Sequence, residues 1–404
     1  MSRFPTRRKL PWQLLLRLNE NIRNAMTTQR WAWADIDLSA LQRNVRTLCT
    51  HVNPQQLWAV VKANAYGHGS IQVATAALDA GATGLCVALA DEGIEFRHAG
   101  IDAPILVMSE QPNSQHRTMI ENDLIATLYN KATIGLYAQA ANTLGRIAKV
   151  HLKIDTGMHR VGAPDSEAVS RAQQIVAEPN LQLDGLYTHF ATADIVNHPG
   201  TEIQRKRFAQ LVDHLRRIGI NPAQVHVANS AAAIRQLDTG STMVRVGIAM
   251  YGVATNAETD SFGASTNIRL DPVLSLKARV SHVQHVAAGE GISYGLIRPL
   301  ATRTHIATLP LGYADGVPRQ LWRAGEVLIG GRRRRIAGVV TMDQMMIDCG
   351  LDDVFIGDEA VLIGLQGTEH ISANEWARHV DSIGYEVLCG ISARVPRNYL
   401  RSPH

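Results

Sequence analysis

One lysine stands out because it directly follows an apolar segment. Trp58-Ala59-Val60-Val61 leads into Lys62, and the small residues Ala63, Asn64 and Ala65 come next. An amine at the end of a buried strand is poorly solvated, which favours its neutral, nucleophilic form. The small residues leave room for a bulky group beside that amine. The alternative is a lysine that reaches out to solvent, so Lys62 is a candidate nucleophile that needs a second signal.

The second signal is an arginine and a glycine at the end of another apolar segment, Val244-Arg245-Val246-Gly247-Ile248. Backbone N–H groups in such a loop can hold a phosphate, and barrels often bind phosphate after their last two strands. A lysine able to form a Schiff base, combined with a phosphate site, indicates pyridoxal phosphate, although each half alone is a weak signal.

Further polar residues follow two other apolar segments, at Thr188-His189 and at His226 with Asn229-Ser230. Either histidine could be a core residue with satisfied hydrogen bonds, and for His226 that interpretation is preferred. The 16 His and 4 Cys show no metal-ligand spacing, and no Gly-x-Ser-x-Gly motif is present. The sequence therefore predicts no metal site.

The elements that must position these residues alternate between short apolar strands and amphipathic helices. Near-continuous apolar strands separated by helices are typical of a parallel sheet covered by helices. Eight such strands favour a closed (β/α)8 TIM barrel, with its active site at the carboxyl ends of the strands, over an open doubly wound sheet. The predicted strands are Leu57–Lys62, Gly84–Ala88, Pro104–Met108, Ile125–Tyr129, Lys149–Asp155, Leu183–His189, Gln224–Ala228 and Met243–Ile248.

The pattern changes after about residue 268, where strand-like runs are joined by glycine-rich turns and helical periodicity is rare, being clearest at Ser372–His379. The strand-like runs are Val273–His285, Thr304–Pro310, Glu326–Gly330, Arg335–Val340 and Met345–Asp348. We expect a mainly antiparallel β domain over residues 269–404, after a barrel over residues 31–268. Trp31–Leu38 precedes the first barrel helix and is a candidate to pair with the β domain. Residues 1–30 form a basic, amphipathic N-terminal extension whose role the sequence does not indicate.

Composition excludes several classes of protein. The chain of 404 residues is 46% hydrophobic and 19% charged, with a net charge of +4, which is too weak to indicate a nucleic-acid partner. The run Arg332–Arg335 is interpreted as a solvated turn rather than a phosphate site. No apolar run is long enough to cross a membrane, and the first 26 residues make a poor signal peptide. Four cysteines fit a reducing compartment, so we expect a cytoplasmic protein.

A series of short motifs extends over roughly residues 30 to 400. They are Val61–Gly69, Lys153–Arg160, Leu186–Phe190, Asn229–Ala232, Arg245–Ile248, Ser293–Gly295, Gly312–Gly316, Met342–Gln344, Gly384–Glu386 and Arg394–Arg397. With these motifs in this order, the sequence resembles the alanine racemase family of fold-type III pyridoxal-phosphate enzymes.

The resemblance implies two catalytic residues. Lys62 would carry the cofactor and act as one base, and Tyr294 would act on the opposite face from across a homodimer interface. Racemisation removes a proton from one face of Cα and returns it to the other, so two bases must flank that carbon. Tyrosine titrates near ~10 and must be tuned downward to act as a base, for which His189 and Arg245 supply a positive neighbourhood.

The resemblance also implies how the cofactor is held. Arg245 would face the pyridine nitrogen and keep it unprotonated, which weakens the electron sink and discourages side reactions. His189 would stack near the ring and link Tyr294 to Arg245. The residues implied around the phosphate are Tyr66, Ser230, Gly247, Ile248 and Tyr385.

For the substrate, Arg160 and the backbone of Met342 would hold the carboxylate. Lys153 matches a lysine that is often carbamylated and that braces Arg160. Thr341 stands where several family members have cysteine. The expected activity is the interconversion of L-alanine and D-alanine in a homodimer with shared active sites, supplying D-alanine for peptidoglycan. A serine or broad-specificity racemase of the same fold is the alternative.

Three other classes of protein fit less well. A basic amino-acid decarboxylase shares this domain plan, but Cys389 does not lie in the cysteine motif expected of its second domain. A single-domain pyridoxal-phosphate carrier protein would lack residues 269–404 and so Tyr294. A structural protein on an inactive barrel would have no reason to keep Lys62, Arg245 and Tyr294 together.

Overall fold

The structure, a computed structural model, describes residues 30–237, 240–255 and 268–401. The chain divides into two compact units. Within the described ranges, the barrel unit comprises Ile36–Leu274, Ser372–Gly390 and residues 399–401, and the β unit comprises residues 30–35, Ser275–Ile371 and Ile391–Asn398. The predicted N-terminal extension lies outside the described residues except for Arg30.

Strand β1 (Ala32–Asp37) and helix α1 (Leu38–Val52) begin the described chain. The carboxylate of Asp37 accepts the N–H of Ala40 at 2.9 Å and so caps the helix, as a short polar side chain at this position commonly does. The buried residues of α1 recur at the helical spacing that makes one apolar face. They are Leu38, Ala40, Leu41, Asn44, Val45, Leu48 and Val52.

Eight parallel strands form a nearly closed barrel, in the spatial order β10-β2-β3-β4-β5-β6-β8-β9. Between β9 and β10 the N–H of Thr242 donates to the oxygen of Val225 at 2.8 Å, and that of Arg245 donates to Ala228 at 3.0 Å. The predicted fold class is therefore confirmed. The strands are β2 (Gln56–Val60), β3 (Gly84–Val87), β4 (Ile105–Val107), β5 (Ile125–Leu128), β6 (Ala148–Asp155), β8 (Leu181–Tyr187), β9 (Gln224–His226) and β10 (Met243–Val246), and a two-residue strand β7 (Ala163–Pro164) pairs with β6.

Helices connect these strands on the outside of the sheet, as the parallel direction requires. They are α2 (Lys62–Tyr66), α3 (Ser70–Asp79), α4 (Ala90–His98), α5 (Asn113–Glu121), α6 (Lys131–Thr143), α7 (Asp165–Ala177), α8 (Pro199–Arg217) and α9 (Ser230–Ile234). A 3-10 helix, Ile248–Tyr251, follows β10. Within the part of the chain that the structure describes, every helix is too short or too polar to span a bilayer.

The β unit contains two sheets. One has the strand order β15-β14-β17-β11-β1-β19, with β18 added to β17, and the other has the order β12-β13-β16. Its pairs β11–β17, β14–β15, β14–β17, β17–β18, β12–β13 and β13–β16 are antiparallel. The strands are β11 (Leu274–Arg279), β12 (His282–Val286), β13 (Thr304–Leu309), β14 (Glu326–Ile329), β15 (Arg332–Arg335), β16 (Met345–Asp348), β17 (Glu359–Gln366), β18 (Glu369–Ile371) and β19 (Arg397–Leu400).

Two late helices, α10 (Ala373–His379) and α11 (Gly384–Gly390), belong to the barrel unit although the sequence assigned all of residues 269–404 to the β domain. Their apolar residues are buried, including Trp376 and Leu388. The residue that follows α2 lies so close to α11 that a Cβ on Gly67 would be 2.5 Å from the carbonyl oxygen of Leu388. Periodicity identifies such a helix but does not reveal which unit its apolar face covers.

The basic run Arg332–Arg335 is also different from the prediction, because it is strand β15 and not a turn. It pairs with β14, and carboxylates form ion pairs with the side chains of residues 332, 333 and 334. Arg333 forms ion pairs with Glu326 and Glu369, both at 3.0 Å. The turn is the Gly330–Gly331 pair before it, where both residues have positive φ.

Candidate active site

A cavity of about 370 Å³ lies at the carboxyl ends of the barrel strands. Nine predicted site residues are among those that line it: Lys62, Tyr66, Arg160, His189, Ser230, Arg245, Gly247, Ile248 and Tyr385. They come from the ends of β2, β8, β9 and β10, from the loop after β6, and from α11. The parallel strands thus bring residues that are far apart in sequence to one edge, as expected of a barrel.

Lys62 lies just past the end of β2, at the start of α2. Burial lowers the pKa of its amine, and the nearby guanidinium of Arg160 lowers it further. Both effects disfavour the protonated form. The structure therefore gives Lys62 the property that the sequence suggested, a readily deprotonated amine at the wall of a cavity.

The chain after Lys62 turns with the opposite hand to an ordinary helix. Ala63, Asn64, Ala65 and Tyr66 all have φ between 51° and 54°. The left-handed conformation costs an L-residue roughly 1–2 kcal/mol because its Cβ approaches the following carbonyl oxygen. A hydrogen bond from the N–H of Ala63 to the carboxylate of Glu92, 2.6 Å long, helps to hold the turn beside Lys62.

One end of the cavity is rich in hydrogen-bond donors. The hydroxyl oxygen of Ser230, the first residue of α9, accepts the N–H of Gly247 at 2.9 Å. The 3-10 helix starts at Ile248, and the first N–H groups of a helix have no acceptor within it. Tyr66 packs here between Tyr251 and Tyr385, at 5.0 and 6.1 Å between ring centroids. Two hydroxyls and a turn of backbone therefore lie together in the lining of the cavity.

Arg245 is buried and held from several directions. Its Nη2 donates to the carbonyl oxygens of Thr188 and Val227 at 3.0 and 3.1 Å, and to Nδ1 of His189 at 3.2 Å. Its Nη1 donates to Nδ1 of His226. Burial, followed by the charge of Arg245, holds the pKa of His189 well below its usual value, so this imidazole is neutral. The cavity wall thus carries a fixed cation beside an uncharged ring.

Arg160 reaches the cavity from a loop that Asp155 organises. One carboxylate oxygen of Asp155 accepts the N–H groups of residues 157, 158 and 159 at 2.9 to 3.0 Å. Lys153, on β6, is 6% exposed. Burial, helped by Arg245 and Arg160, lowers the pKa of Lys153 to about 8. A buried lysine between two arginines is readily neutralised.

Two models of protein families match the chain: "Alanine racemase, N-terminal domain" over residues 36–255 and "Alanine racemase, C-terminal domain" over residues 273–399. The chain belongs to the alanine racemase family. Alanine racemases are amino-acid racemases, which are isomerases, and family membership assigns the chain to that enzyme class.

Individual alanine racemases, and other proteins of similar structure, match nearly the whole chain. The alanine racemase of Symbiobacterium thermophilum is 44% identical over 375 residues, which are 92% of this chain and 97% of that protein. The crystal structure of alanine racemase from Streptomyces lavendulae matches with a TM-score of 0.88 at 38% identity, covering 92% of this chain and 98% of that one. A histidine racemase from Leuconostoc mesenteroides matches with a TM-score of 0.84 at 28% identity, covering 93% and 99%.

Two residues for which the alanine racemase resemblance implied roles, Tyr294 and Met342, lie in the β unit. Tyr294 starts a short 3-10 helix, Tyr294–Leu296, and its side chain is 76% exposed. The carbonyl oxygen of Met342 accepts the N–H of Ala314 at 3.0 Å, and its side chain is exposed. Both are therefore available on the surface of the β unit.

Sequence reasoning missed several residues of this candidate site. Met108 and Cys389 line the cavity, and Glu92 holds the turn after Lys62. Met108 is the last residue of a predicted strand, so its position was a usable signal. Nothing in the sequence pairs Glu92 with Ala63, because that contact depends on how α4 lies against α2.

Proposed function

We propose that the protein is a pyridoxal-phosphate-dependent alanine racemase that interconverts L-alanine and D-alanine with two bases. The observation that carries this proposal is the amine of Lys62, with its lowered pKa, in one cavity with the guanidinium of Arg245. Such a cofactor requires a nucleophilic amine that attaches it and a fixed cation that tunes its ring.

The residues of the cavity fit the cofactor. Gly247 lies where a side chain would fill the space, since a Cβ there would be 2.5 Å from the hydroxyl oxygen of Tyr66. Tyr66, Ser230 and the backbone at Gly247 and Ile248 would hold the phosphate, with Tyr385 nearby. Lys62 would attach the carbonyl carbon covalently. When bound, pyridoxal phosphate withdraws electrons from the substrate and so acidifies the proton on Cα.

The chain's own residues would then remove that proton and return it. The Nζ of Lys62 takes it from, or returns it to, one face of Cα. The hydroxyl of Tyr294 does the same on the other face, supplied by the second subunit of a homodimer. Two bases on opposite faces allow inversion without either group moving around the carbon, and each needs a pKa matched to its task. Arg160 and the backbone of Met342 would hold the carboxylate meanwhile.

Arg245 would set the electronic state of the ring. A guanidinium has donors and no acceptor, and it stays protonated in proteins. Beside the ring nitrogen of a bound cofactor, it would donate a hydrogen bond without giving up a proton. It would thereby leave that nitrogen unprotonated, which would favour return of the proton to Cα over transamination.

Alanine is the proposed substrate because the relatives reported above are named alanine racemases. Tyr385 lines the cavity, and its ring would narrow the space beside Cβ of a bound amino acid. The histidine racemase with a similar fold shows that fold alone does not choose the substrate. Serine would be disfavoured and not excluded, since one small group changes discrimination by only ~1–3 kcal/mol. We further propose that the enzyme works in the cytoplasm, where D-alanine is made for peptidoglycan.

The test uses the purified protein. We expect an absorbance of the bound cofactor that disappears on borohydride treatment, a reduced adduct at Lys62, and racemisation of L-alanine above all other amino acids in a panel. Lys62→Ala should lose the adduct, while Lys131→Ala, a change of an exposed lysine at the start of α6, should keep it. An adduct on another lysine, or faster turnover of a different amino acid, would contradict the proposal.

A further inference from the structure

A row of four polar side chains lies among the strands of the barrel. Arg245 on β10 donates to Nδ1 of His226 on β9, and Nε2 of His226 lies 2.9 Å from Nδ1 of His151 on β6. Nε2 of His151 lies 3.6 Å from a carboxylate oxygen of Asp184 on β8. Both histidines are fully buried and Asp184 is 14% exposed. The row connects the wall of the cavity to a carboxylate on another strand.

The direction of every proton in this row follows from its two ends. A guanidinium only donates, so Nδ1 of His226 must accept and its proton must be on Nε2. That N–H then donates to Nδ1 of His151, whose own proton is left on Nε2. An ionised carboxylate only accepts, so Asp184, at 3.6 Å and therefore beyond hydrogen-bond distance, attracts this N–H through its negative charge. One arrangement of protons therefore suits both hydrogen bonds of the row and the carboxylate beside it.

The backbone is shaped to bring Asp184 into the row. Val150 pairs with Leu183 and His151 pairs with Gly185, so Asp184 is an extra residue on β8, in a β-bulge. Bulges re-aim side chains and are frequent beside active sites. Gly185 is also required for the contact, because a Cβ there would lie 2.5 Å from the ring of His151.

Both imidazoles are held neutral and fixed in orientation. Burial lowers the pKa of His151 and holds that of His226 well below its usual value. The ring of Tyr187 stacks on His226 with centroids 4.6 Å apart and an angle of 8° between the planes. A buried polar row of this kind is costly compared with apolar side chains of the same size, so its connection to Arg245 calls for a functional explanation.

We propose that Asp184 and His151 are positioning residues, which act through His226 to fix the orientation of the Arg245 guanidinium at the cavity. This inference rests on the proposed function for its effect on catalysis, and not for the proton arrangement itself. The carboxylate selects one tautomer of His151, which selects one tautomer of His226. That tautomer presents a lone pair, instead of a competing N–H, to Nη1 of Arg245.

The proton arrangement is tested by neutron diffraction from crystals of the cofactor-loaded protein exchanged into D2O. We expect deuterium on Nε2 of both His226 and His151, and none on their Nδ1 atoms. Deuterium on Nδ1 of either ring, or on both nitrogens of one ring, would overturn the proposal. The result does not depend on racemisation, so it is distinct from failure of the proposed function.

The positioning role is tested with Asp184→Asn and Asp184→Leu. The leucine removes both charge and acceptor, and the asparagine keeps an acceptor oxygen. We expect Asp184→Leu to weaken cofactor binding and lower kcat by about 10- to 100-fold, the scale known for groups that orient metal ligands, with the KM for alanine little changed. Asp184→Asn should lie between it and the unchanged protein.

His116→Asn is the matched control, because His116 is also a buried histidine of the barrel unit but bonds to Gln111 outside the row. It should change thermal stability without changing kcat or cofactor affinity per folded molecule. If Asp184→Leu behaves like this control, or if Asp184→Asn is as impaired as Asp184→Leu, the positioning role is disproved.

Discussion

Gly247 and Tyr66 lie so close together that a Cβ atom on the glycine would be 2.5 Å from the tyrosine hydroxyl oxygen. Tyr66 cannot retreat easily, because its ring is buried against Tyr251. The position of this hydroxyl therefore depends on the absence of a side chain one strand away.

Gly247→Ala should displace the Tyr66 hydroxyl and weaken pyridoxal-phosphate binding by at least about 10-fold, or roughly 1.4 kcal/mol. Equilibrium dialysis of the cofactor against the apoprotein measures the effect. Gly135→Ala is the control, since no atom lies within 4 Å of the Cβ it would add, in the middle of α6. It should leave binding unchanged and stabilise the protein by about 0.5–1 kcal/mol. Equal affinities of the two variants would refute the steric argument.

Lys153 should make stability depend on pH in the alkaline range. Its pKa is about 8 in the folded protein against 10.5 for an unperturbed lysine. Below pH ~8 both states are protonated and the cost of burying the charge is fully present. Between ~8 and ~10 the unfolded state binds more protons, so the free energy of unfolding rises with pH.

In CO2-free buffer, that rise should be on the order of 2 kcal/mol relative to Lys153→Met, which lacks the titrating group. Denaturant unfolding of both proteins at several pH values measures the difference. Bicarbonate should abolish the rise if the amine is carbamylated, since a carbamate does not titrate there. A difference that is flat with pH in CO2-free buffer would show that the pKa is not lowered.

Mixed subunits should restore activity if Tyr294 serves the partner's site. Tyr294 is exposed together with Leu296 and Ile297, and a contiguous apolar surface of this kind marks an interface. Lys62→Ala and Tyr294→Ala should each be inactive, and a mixture should recover up to about a quarter of the activity, because each heterodimer keeps one intact site of two. Native mass spectrometry confirms subunit exchange, and exchange without recovery would argue against shared sites.

Tyr385→Ala should raise the ratio of kcat/KM for serine to that for alanine. The side chain lines the cavity, and its removal gives the hydroxymethyl group of serine more room. The change should be about 10-fold or less, because a single small group is discriminated by ~1–3 kcal/mol. An unchanged ratio, or an unsubstituted enzyme that turns over serine as well as alanine, would show that Tyr385 does not set specificity.

The barrel was predictable because its strands are apolar and its helices are periodic. Strand ends shifted by a few residues, as with Leu57–Lys62 against the observed Gln56–Val60. The β domain was harder to predict from the sequence. Strand β17 was missed, and the single predicted run Val273–His285 is two strands, β11 and β12. A short apolar run looks alike in a strand and a buried helix, so periodicity cannot decide such cases.

Site residues at strand ends could be predicted, because a barrel brings those ends together. The residues that contact them from the interior of the barrel could not be predicted. His226 was preferred as a core histidine, and it is fully buried, yet it also bonds to Arg245. Asp184 faces inward because of a bulge that leaves no mark in the pattern of residue types. Contacts made across the barrel depend on register, which one sequence does not disclose.

The left-handed turn after Lys62 has a stereochemical consequence. Ala63 and Ala65 are L-residues held at φ of 52° and 51°, in the region that a D-residue prefers. A semisynthetic protein with D-alanine at both positions would form this turn without the steric cost that its natural form bears. The proposed product of the enzyme is thus the amino acid whose handedness best suits the backbone after Lys62.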